Sequence, residues 1–339
     1  MRRPLLMMLA LAPAAALLLA GCGKGGNSVS GGAASGPAGG APASGAALQI
    51  AVIPKGTTHE YWQSIDAGAQ KAGKELGVNI IWKGPLQESD RAGQIAIVQQ
   101  FVSNRVSGIV LAPADNAALV GPVAAAKAAH IPVVIIDSPL NGTPGKDYVS
   151  FVATDNYKGG ELAAKSMIKL LNGHGKIVVL RYMVGSGSTE AREAGFLAGI
   201  KAAPGITVVD SSHYAGATQS EAQTTAMQMI NEIKGVDGVF ASNESATLGL
   251  LQALRQNNLA GKIKFVGFDA TPPIIAAIQS GQLNAVVAQN PVKMGYLGVK
   301  TLVDSIHGQS VPAKIDTGAM VIDQADLNTP AVQQLLSGK

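Results

Sequence analysis

Gly185-Ser-Gly-Ser-Thr189 has the glycine content of a phosphate-cradling loop. It lacks the third glycine of a dinucleotide fingerprint, and no Walker lysine follows any glycine loop, so no nucleotide site is expected. The five histidines, His59, His130, His174, His213 and His307, show no i, i+4 pairing and no cysteine partner. No metal site is expected from that spacing, and no cofactor. Ser166-Met-Ile-Lys169 has a serine–lysine spacing without the companion motifs of an acylating enzyme. Polar residues gather instead where short apolar runs end. Gly108-Ile-Val-Leu-Ala-Pro-Ala-Asp-Asn116 echoes Gly238-Val-Phe-Ala-Ser-Asn-Glu244, and Val134-Ile-Ile-Asp-Ser-Pro139 echoes Val266-Gly-Phe-Asp-Ala-Thr-Pro272. In open parallel sheets, ligands lie beyond the carboxyl ends of the strands. Two such halves facing each other would converge these residues on one cleft; two buried strands of similar composition would also produce the echo.

The runs that carry these residues alternate with amphipathic stretches. Strands are predicted at 49–53, 78–82, 108–111 and 131–136, with helices over 61–76, 90–104 and 117–129 between them. The second half repeats the rhythm, with strands at 177–180, 206–209, 238–240, 263–268 and 285–288. Continuous apolar strands imply burial on both sheet faces, the mark of a parallel sheet wrapped by helices. A doubly wound α/β fold follows.

At 339 residues and 47% hydrophobic content, the chain can build two domains with separate cores. Lys and Arg total 26 against 22 Asp and Glu. Arg2 and Arg3 fall in the expected leader, so the remaining charge is nearly balanced. Nucleic acid is therefore not an expected partner despite a pI of 9.0. Met1-Arg-Arg3, an apolar Leu5 to Leu19 and Leu19-Ala-Gly-Cys22 read as a secretion signal over residues 1–22. The quartet resembles the bacterial lipobox, in which the cysteine is acylated, so Cys22 is expected to be lipidated. The only contact with a membrane would be that lipid. The alternative, a transmembrane anchor, is interrupted by Pro13 and barely long enough. Residues 23–47, nearly all Gly, Ala, Ser and Pro, are expected to form a flexible tether.

From Leu48 onward the chain resembles type I periplasmic binding proteins of the ribose-binding class. The resemblance rests on Thr58-His-Glu-Tyr-Trp62, Ile136-Asp-Ser138, Thr154-Asp-Asn156 with Gly159-Gly160, Arg192-Glu-Ala-Gly-Phe196, Phe240-Ala-Ser-Asn243, Gly267-Phe-Asp269 and Val287-Ala-Gln289. It implies two doubly wound parallel-sheet domains, 48–154 with 290–318 and 155–289 with 319–339, joined by a hinge of three crossovers near Thr154, Gln289 and Gly318. It also implies a ligand shell. Tyr61 and Trp62 match an aromatic pair that sandwiches a sugar ring, whose C–H face packs well on a π surface; core packing is the alternative for either ring. His59 matches a position where an amide often sits, and is equally readable as a structural group. Asp137, Ser138, Arg192, Asn243, Asp269 and Gln289 match the polar shell. A hydroxyl both donates and accepts, so carboxylates, amides and a guanidinium together can satisfy every oxygen of a sugar. Aspartates before Pro139 and Pro272 also stabilise turns, Asn243 has helix capping as its alternative, and Arg192 has Glu190 and Glu193 as alternative partners.

The sequence departs from the ribose type where Ser138 replaces an arginine and where Ala217 replaces a third aromatic, with Tyr214 nearby. Ribose itself is therefore not the expected ligand. The resemblance implies a non-enzymatic, monomeric protein that closes on a small sugar or polyol and delivers it to an ABC permease. It would be exported and lipid-anchored in the periplasm, or on the outer face of a single membrane. A glycoside-acting pair of carboxylates and a sensor partner that presents bound ligand remain alternatives on the same fold. A transcription-regulator domain is disfavoured, since a signal and tether occupy the place of a DNA-binding segment.

Overall fold

In a computed structural model, residues 47–338 are described, and the expected signal, Cys22 and most of the tether lie outside them. The first lobe begins with β1 (Gln49–Ile53), α1 (Glu60–Leu76), β2 (Asn79–Trp82), α2 (Arg91–Ser103), β3 (Gly108–Leu111), α3 (Val120–Ala128), β4 (Val133–Ile136) and β5 (Ser150–Ala153). The second lobe follows with α4 (Asn156–Leu170), β6 (Gly175–Leu180), α5 (Gly187–Lys201), β7 (Ile206–Asp210), α6 (Gln219–Gln228), α7 (Ile230–Ile233), β8 (Gly238–Ala241), α8 (Glu244–Gln256), β9 (Lys264–Phe268), α9 (Pro272–Gln279) and β10 (Ala285–Gln289). The chain then returns to the first lobe for α10 (Pro291–Ile306) and β11 (Lys314–Asp316), and ends in the second with β12 (Ala319–Asp323) and α11 (Pro330–Leu336).

Each lobe holds a six-stranded sheet, in the orders β11-β5-β4-β3-β1-β2 and β12-β10-β9-β8-β6-β7. The two orders superimpose strand for strand, so the sequence echo marks equivalent positions: β3 with β8 and β4 with β9. Central strands such as β3, β4 and β8 are buried along their whole length, and helices cover both faces of each sheet, giving separate apolar clusters on either side.

The second sheet is not wholly parallel, because β12 runs antiparallel to β10. Only Thr317 and Gly318, with φ +83° at the glycine, separate β11 from β12. With no helix to carry the chain back, it runs straight out of one sheet and enters the other from the opposite end. The chain also passes between the lobes at 153–156 and 289–291.

Helix contacts fix the site from behind. A Cβ on Gly160 of α4 would collide with the backbone oxygen of Arg192 on α5, and one on Gly295 of α10 would collide with the oxygen of Ile65 on α1. Backbone-to-backbone approach at these two crossings holds α5 and α1, the helices that carry Arg192 and the Tyr61-Trp62 pair.

Candidate functional site

The carboxyl ends of both sheets face one cavity. Its first-lobe wall comprises Lys55, His59, Tyr61, Trp62, Glu88 and Asp137. From the second lobe come Tyr182, Thr189, Arg192, Asn243, Asp269 and Gln289, with Ser188 and Glu244 completing it. The polar walls stand close together and leave a cavity of only about 20 Å³. A larger open groove beside α1, α10 and α11 involves none of the polar residues singled out above.

Asp137 and Asp269 occupy equivalent places. Each follows the last residue of its strand in a left-handed conformation, φ +62° and +70°, and donates its backbone N–H to the next strand, at Val152 and Val287 respectively. That conformation suits aspartate better than most residues, so the backbone role and the site role coexist. Asp137 accepts from the Tyr61 hydroxyl at 2.9 Å and lies 3.0 Å from the Lys55 ammonium. The oxygens of Asp269 accept from Gln289 Nε2 and from the N–H of Glu244, both at 2.8 Å. Burial, helped by Asp137, pushes the Asp269 carboxyl up, against the pull of Arg192 and the two donors.

Arg192 pairs with neither neighbouring glutamate. Its Nε donates to Asn156 at 2.8 Å, its Nη1 to the Ser242 carbonyl at 3.0 Å, and its guanidinium lies 4.0 Å above the Phe268 ring. Glu193 pairs with Arg181 and Glu190 accepts from Gly185 N. Among the described residues, the buried side-chain polar atoms without a partner are Arg192 Nη2, Gln289 Oε1 and Thr271 Oγ1. The first two belong to the cavity wall.

Tyr61 and Trp62 are both buried at the cavity, but they do not form two sides of a sandwich. Their rings meet edge to face at 5.1 Å and 79°, which leaves no space for a third ring between them. Adjacent residues on one helix project about 100° apart, so neighbouring rings touch each other instead of facing across a gap. The Trp62 indole donates to Glu88 at 2.9 Å. Asn243 caps α8 through Oδ1 and donates to Ser245, so both ends of its amide have protein partners. Ser138 is buried away from the wall and accepts from Ser188 N at 3.1 Å. Tyr214 is off the wall as well, half-exposed beneath Arg181; the third aromatic is Tyr182.

His59 contacts Glu88 through Nδ1 at 2.9 Å and the Ala217 carbonyl of the other lobe through Nε2 at 3.2 Å. Only the imidazolium can donate from both nitrogens. Burial alone lowers the His59 pKa, but the hydrogen bond and charge of Glu88, aided by Glu244 and the carbonyl, raise it from 6.5 to about 9. Burial alone raises Glu88, yet His59, Lys55 and the Trp62 N–H bring it down to about 2. Glu244 receives the N–H groups of Glu60 and Tyr61 at 3.2 and 3.0 Å, capping α1 from the opposite lobe. Its burial, with Asp269 adding, outweighs His59 and those donors and lifts it to about 7.

A pH dependence follows. A histidine whose pKa rises on folding contributes stability that is complete below 6.5 and lost as pH climbs through about 9. Glu88 contributes above 4.5 and loses its contribution as pH falls through about 2. Glu244, raised on folding, contributes below 4.5 and fades as pH rises through about 7. The unfolding midpoint should therefore fall between about pH 7 and about pH 9, and His59→Gln should remove the share of that fall that the imidazolium contributes. Calorimetric scans across the range check both.

Lys55, Glu88, Tyr182, Ser188, Thr189 and Glu244 line the cavity without standing out as ligand residues in the sequence. Lys55 and Tyr182 stand two residues beyond β1 and β6, where the strand-end rule that found Asp137 applies equally. Glu244 directly follows Asn243. Glu88 sits in a loop whose sequence carries no periodic signal. Asp210, His213 and Glu232 also place possible ligand atoms within 4.8 Å of one another, off the cavity wall, with Asp210 and His213 already bonded at 2.8 Å.

Two doubly wound lobes, joined by several chain crossings and meeting at their strand ends, define the architecture of a bilobal binding protein. A family model described as periplasmic binding protein domain matches residues 50–310, and the chain belongs to this family, with the type I fold. The chain is 31% identical over 268 residues to the D-ribose/D-allose-binding protein of Pseudomonas aeruginosa, covering 77% of this chain and 83% of the relative. It is 29% identical over 265 residues to the D-allose-binding periplasmic protein of Escherichia coli, covering 76% and 85%. Among solved structures, an ABC transporter solute-binding protein from Agrobacterium vitis with bound D-fucose matches at 37% identity and TM-score 0.81, covering 85% of this chain and 99% of that one. A carbohydrate transporter solute-binding protein from Agrobacterium radiobacter in complex with D-arabinose matches at 36% and 0.81, covering 86% and 99%. Family membership places the chain outside the cytoplasm, and among the described residues no helix is long and apolar enough to cross a membrane.

Proposed function

We propose that the chain captures a small sugar or related polyol between its lobes by hinge closure and passes it to the permease of an ABC importer. The observation that carries this reading is the pair of unpartnered buried atoms on the wall, a donor at Arg192 Nη2 and an acceptor at Gln289 Oε1. A hydroxyl is the small neutral group that answers both. Asp137 and Asp269 add acceptors, and Tyr61, Trp62 and Tyr182 add π surface for the C–H faces of the ring. The relatives' sugars point to pentoses and hexoses.

In this proposal the domains are 48–154 with 290–318 and 155–289 with 319–339, and hinge motion occurs at their crossings. A lipid on Cys22 holds the single-copy protein at the membrane, with residues 23–47 as the link. Calorimetric titration of the full chain with D-ribose, D-allose, D-arabinose and D-fucose tests the reading. At least one should bind with saturable heat at micromolar concentration or below; no heat from any pentose, hexose or inositol would defeat it.

A further inference from the structure

The Gly185–Thr189 run, which fits no nucleotide site, makes a continuous seam with the opposite lobe. Arg91 of α2 donates to the carbonyl of Val184. Asn116 N donates to the carbonyl of Gly185 at 3.1 Å. Ser186 Oγ lies 3.5 Å from the Lys55 ammonium, and Ser188 Oγ accepts from it at 2.9 Å. Ser188 N donates to Ser138 Oγ at 3.1 Å. Between these contacts Gly187 rests on Pro139, so closely that an added Cβ would stand 2.8 Å from the proline Cγ. Gly185, at φ +86°, accepts the turn that this docking needs, and Glu190 fixes it by accepting from its N–H at 2.7 Å. Lys55 ties the seam to the cavity, since the ammonium that holds Ser188 also stands 3.0 Å from Asp137.

We propose that residues 184–188 form a clasp that holds the lobes closed, and that Lys55 is its positioning residue, coupling the clasp to Asp137 in the binding cavity. The proposal rests on the binding role proposed above. It explains the residue types, since two small glycines let the backbone reach the facing lobe and two serines supply hydroxyls to bridge it. A bond made only when the lobes meet favours the closed form by its full free energy, because the open form lacks it. Ser138, which matched a ligand-shell position in sequence, belongs to this seam.

Gly187→Ala isolates the clasp. Gly187 is off the cavity wall and is the first residue of α5, where alanine is a good helix former, so the methyl group acts mainly on the contact with Pro139. Amide hydrogen exchange on the full chain, read by mass spectrometry, reports closure at the Asn116 and Ser188 amides and lobe integrity at the β8 amides. The spectra are taken in buffer and with saturating D-ribose, D-allose, D-arabinose and D-fucose. Gly187→Ala should speed exchange at Asn116 and Ser188 about tenfold or more with β8 unchanged, and a second change, Pro139→Ala, should restore most of the protection by removing the atoms in the way. Wild-type rates in Gly187→Ala, or no recovery in the double variant, would overturn the clasp. Should β8 lose protection in Gly187→Ala, Arg91→Ala on the surface serves instead, with faster exchange at Asn116 expected and an unchanged rate contradicting. If no sugar slows exchange in the wild type, the binding role fails, and the comparison in plain buffer still decides the clasp.

Discussion

Asp269→Asn should weaken sugar binding about ten- to a hundredfold, and Arg192→Ala by at least about a hundredfold. Asparagine tolerates the left-handed backbone at φ +70°, so the strand end keeps its shape and the loss is one of bonding. Both carboxylate oxygens accept from fixed donors, Gln289 Nε2 and Glu244 N. An amide group must turn its own NH₂ toward one of them, donor against donor. The displaced partner is either the amide whose Oε1 is free for a ligand or the residue that caps α1 from across the cleft. Losing a charged hydrogen bond costs about 1.5 to 3 kcal/mol, and each 1.4 kcal/mol is about tenfold in affinity. Arg192→Ala removes more: the free Nη2, the bonds to Asn156 and Ser242, the layer above Phe268, and the countercharge of Asp269. Arg192→Lys should recover little, because an ammonium cannot span those partners in one plane. Titration calorimetry, with urea unfolding to verify the fold, checks all three; affinities within twofold of wild type would contradict the assignment.

Glu88→Ala should destabilise the protein by about 3 to 5 kcal/mol, the usual result of removing one partner from a buried pair. Glu88 is 6% exposed, and its Oε1 receives both the His59 ring at 2.9 Å and the Trp62 indole at 2.9 Å. Without it, a charge and an N–H are buried without their partner, and the pKa of His59 should drop from about 9 toward or below 6.5. Glu88→Gln, which still offers one oxygen to the indole, should cost less than the alanine variant. Urea unfolding and NMR titration of the His59 ring measure the two effects. A stability change under about 1 kcal/mol in the alanine variant would show that the pair does not hold this wall together.

The parallel architecture was legible because strands buried on both faces produce unbroken apolar runs, as at Ile131 to Ile136, where β4 forms over Val133–Ile136. The edge strands β11 and β12 escaped because β11 has no buried residue and β12 buries only Ile322, so a short run in a turn-rich stretch gives no comparable signal. Asp137 and Asp269 could be found because a polar residue closing an apolar run stands out, and the internal echo singled out both. Lys55 satisfied the same rule yet was passed over, since a lysine after Pro54 reads as an ordinary surface residue until Asp137 and Ser188 are brought to it from 82 and 133 positions away. The aromatic arrangement failed for a related reason. Sequence shows that Tyr61 and Trp62 are adjacent, but the angle between their rings follows from the helix that carries them and from Glu88 and Asp137, which anchor their polar ends.

The central claim is that polar strand ends of both lobes grip one small sugar together. A crystal structure of the chain with whichever sugar titrates addresses it most directly. Hydroxyls should lie within hydrogen-bond distance of Arg192 Nη2 and Gln289 Oε1, with Asp137 or a neighbour in the first lobe sharing the same ring. A sugar seated in the groove beside α11, or touching one lobe alone, would contradict the account.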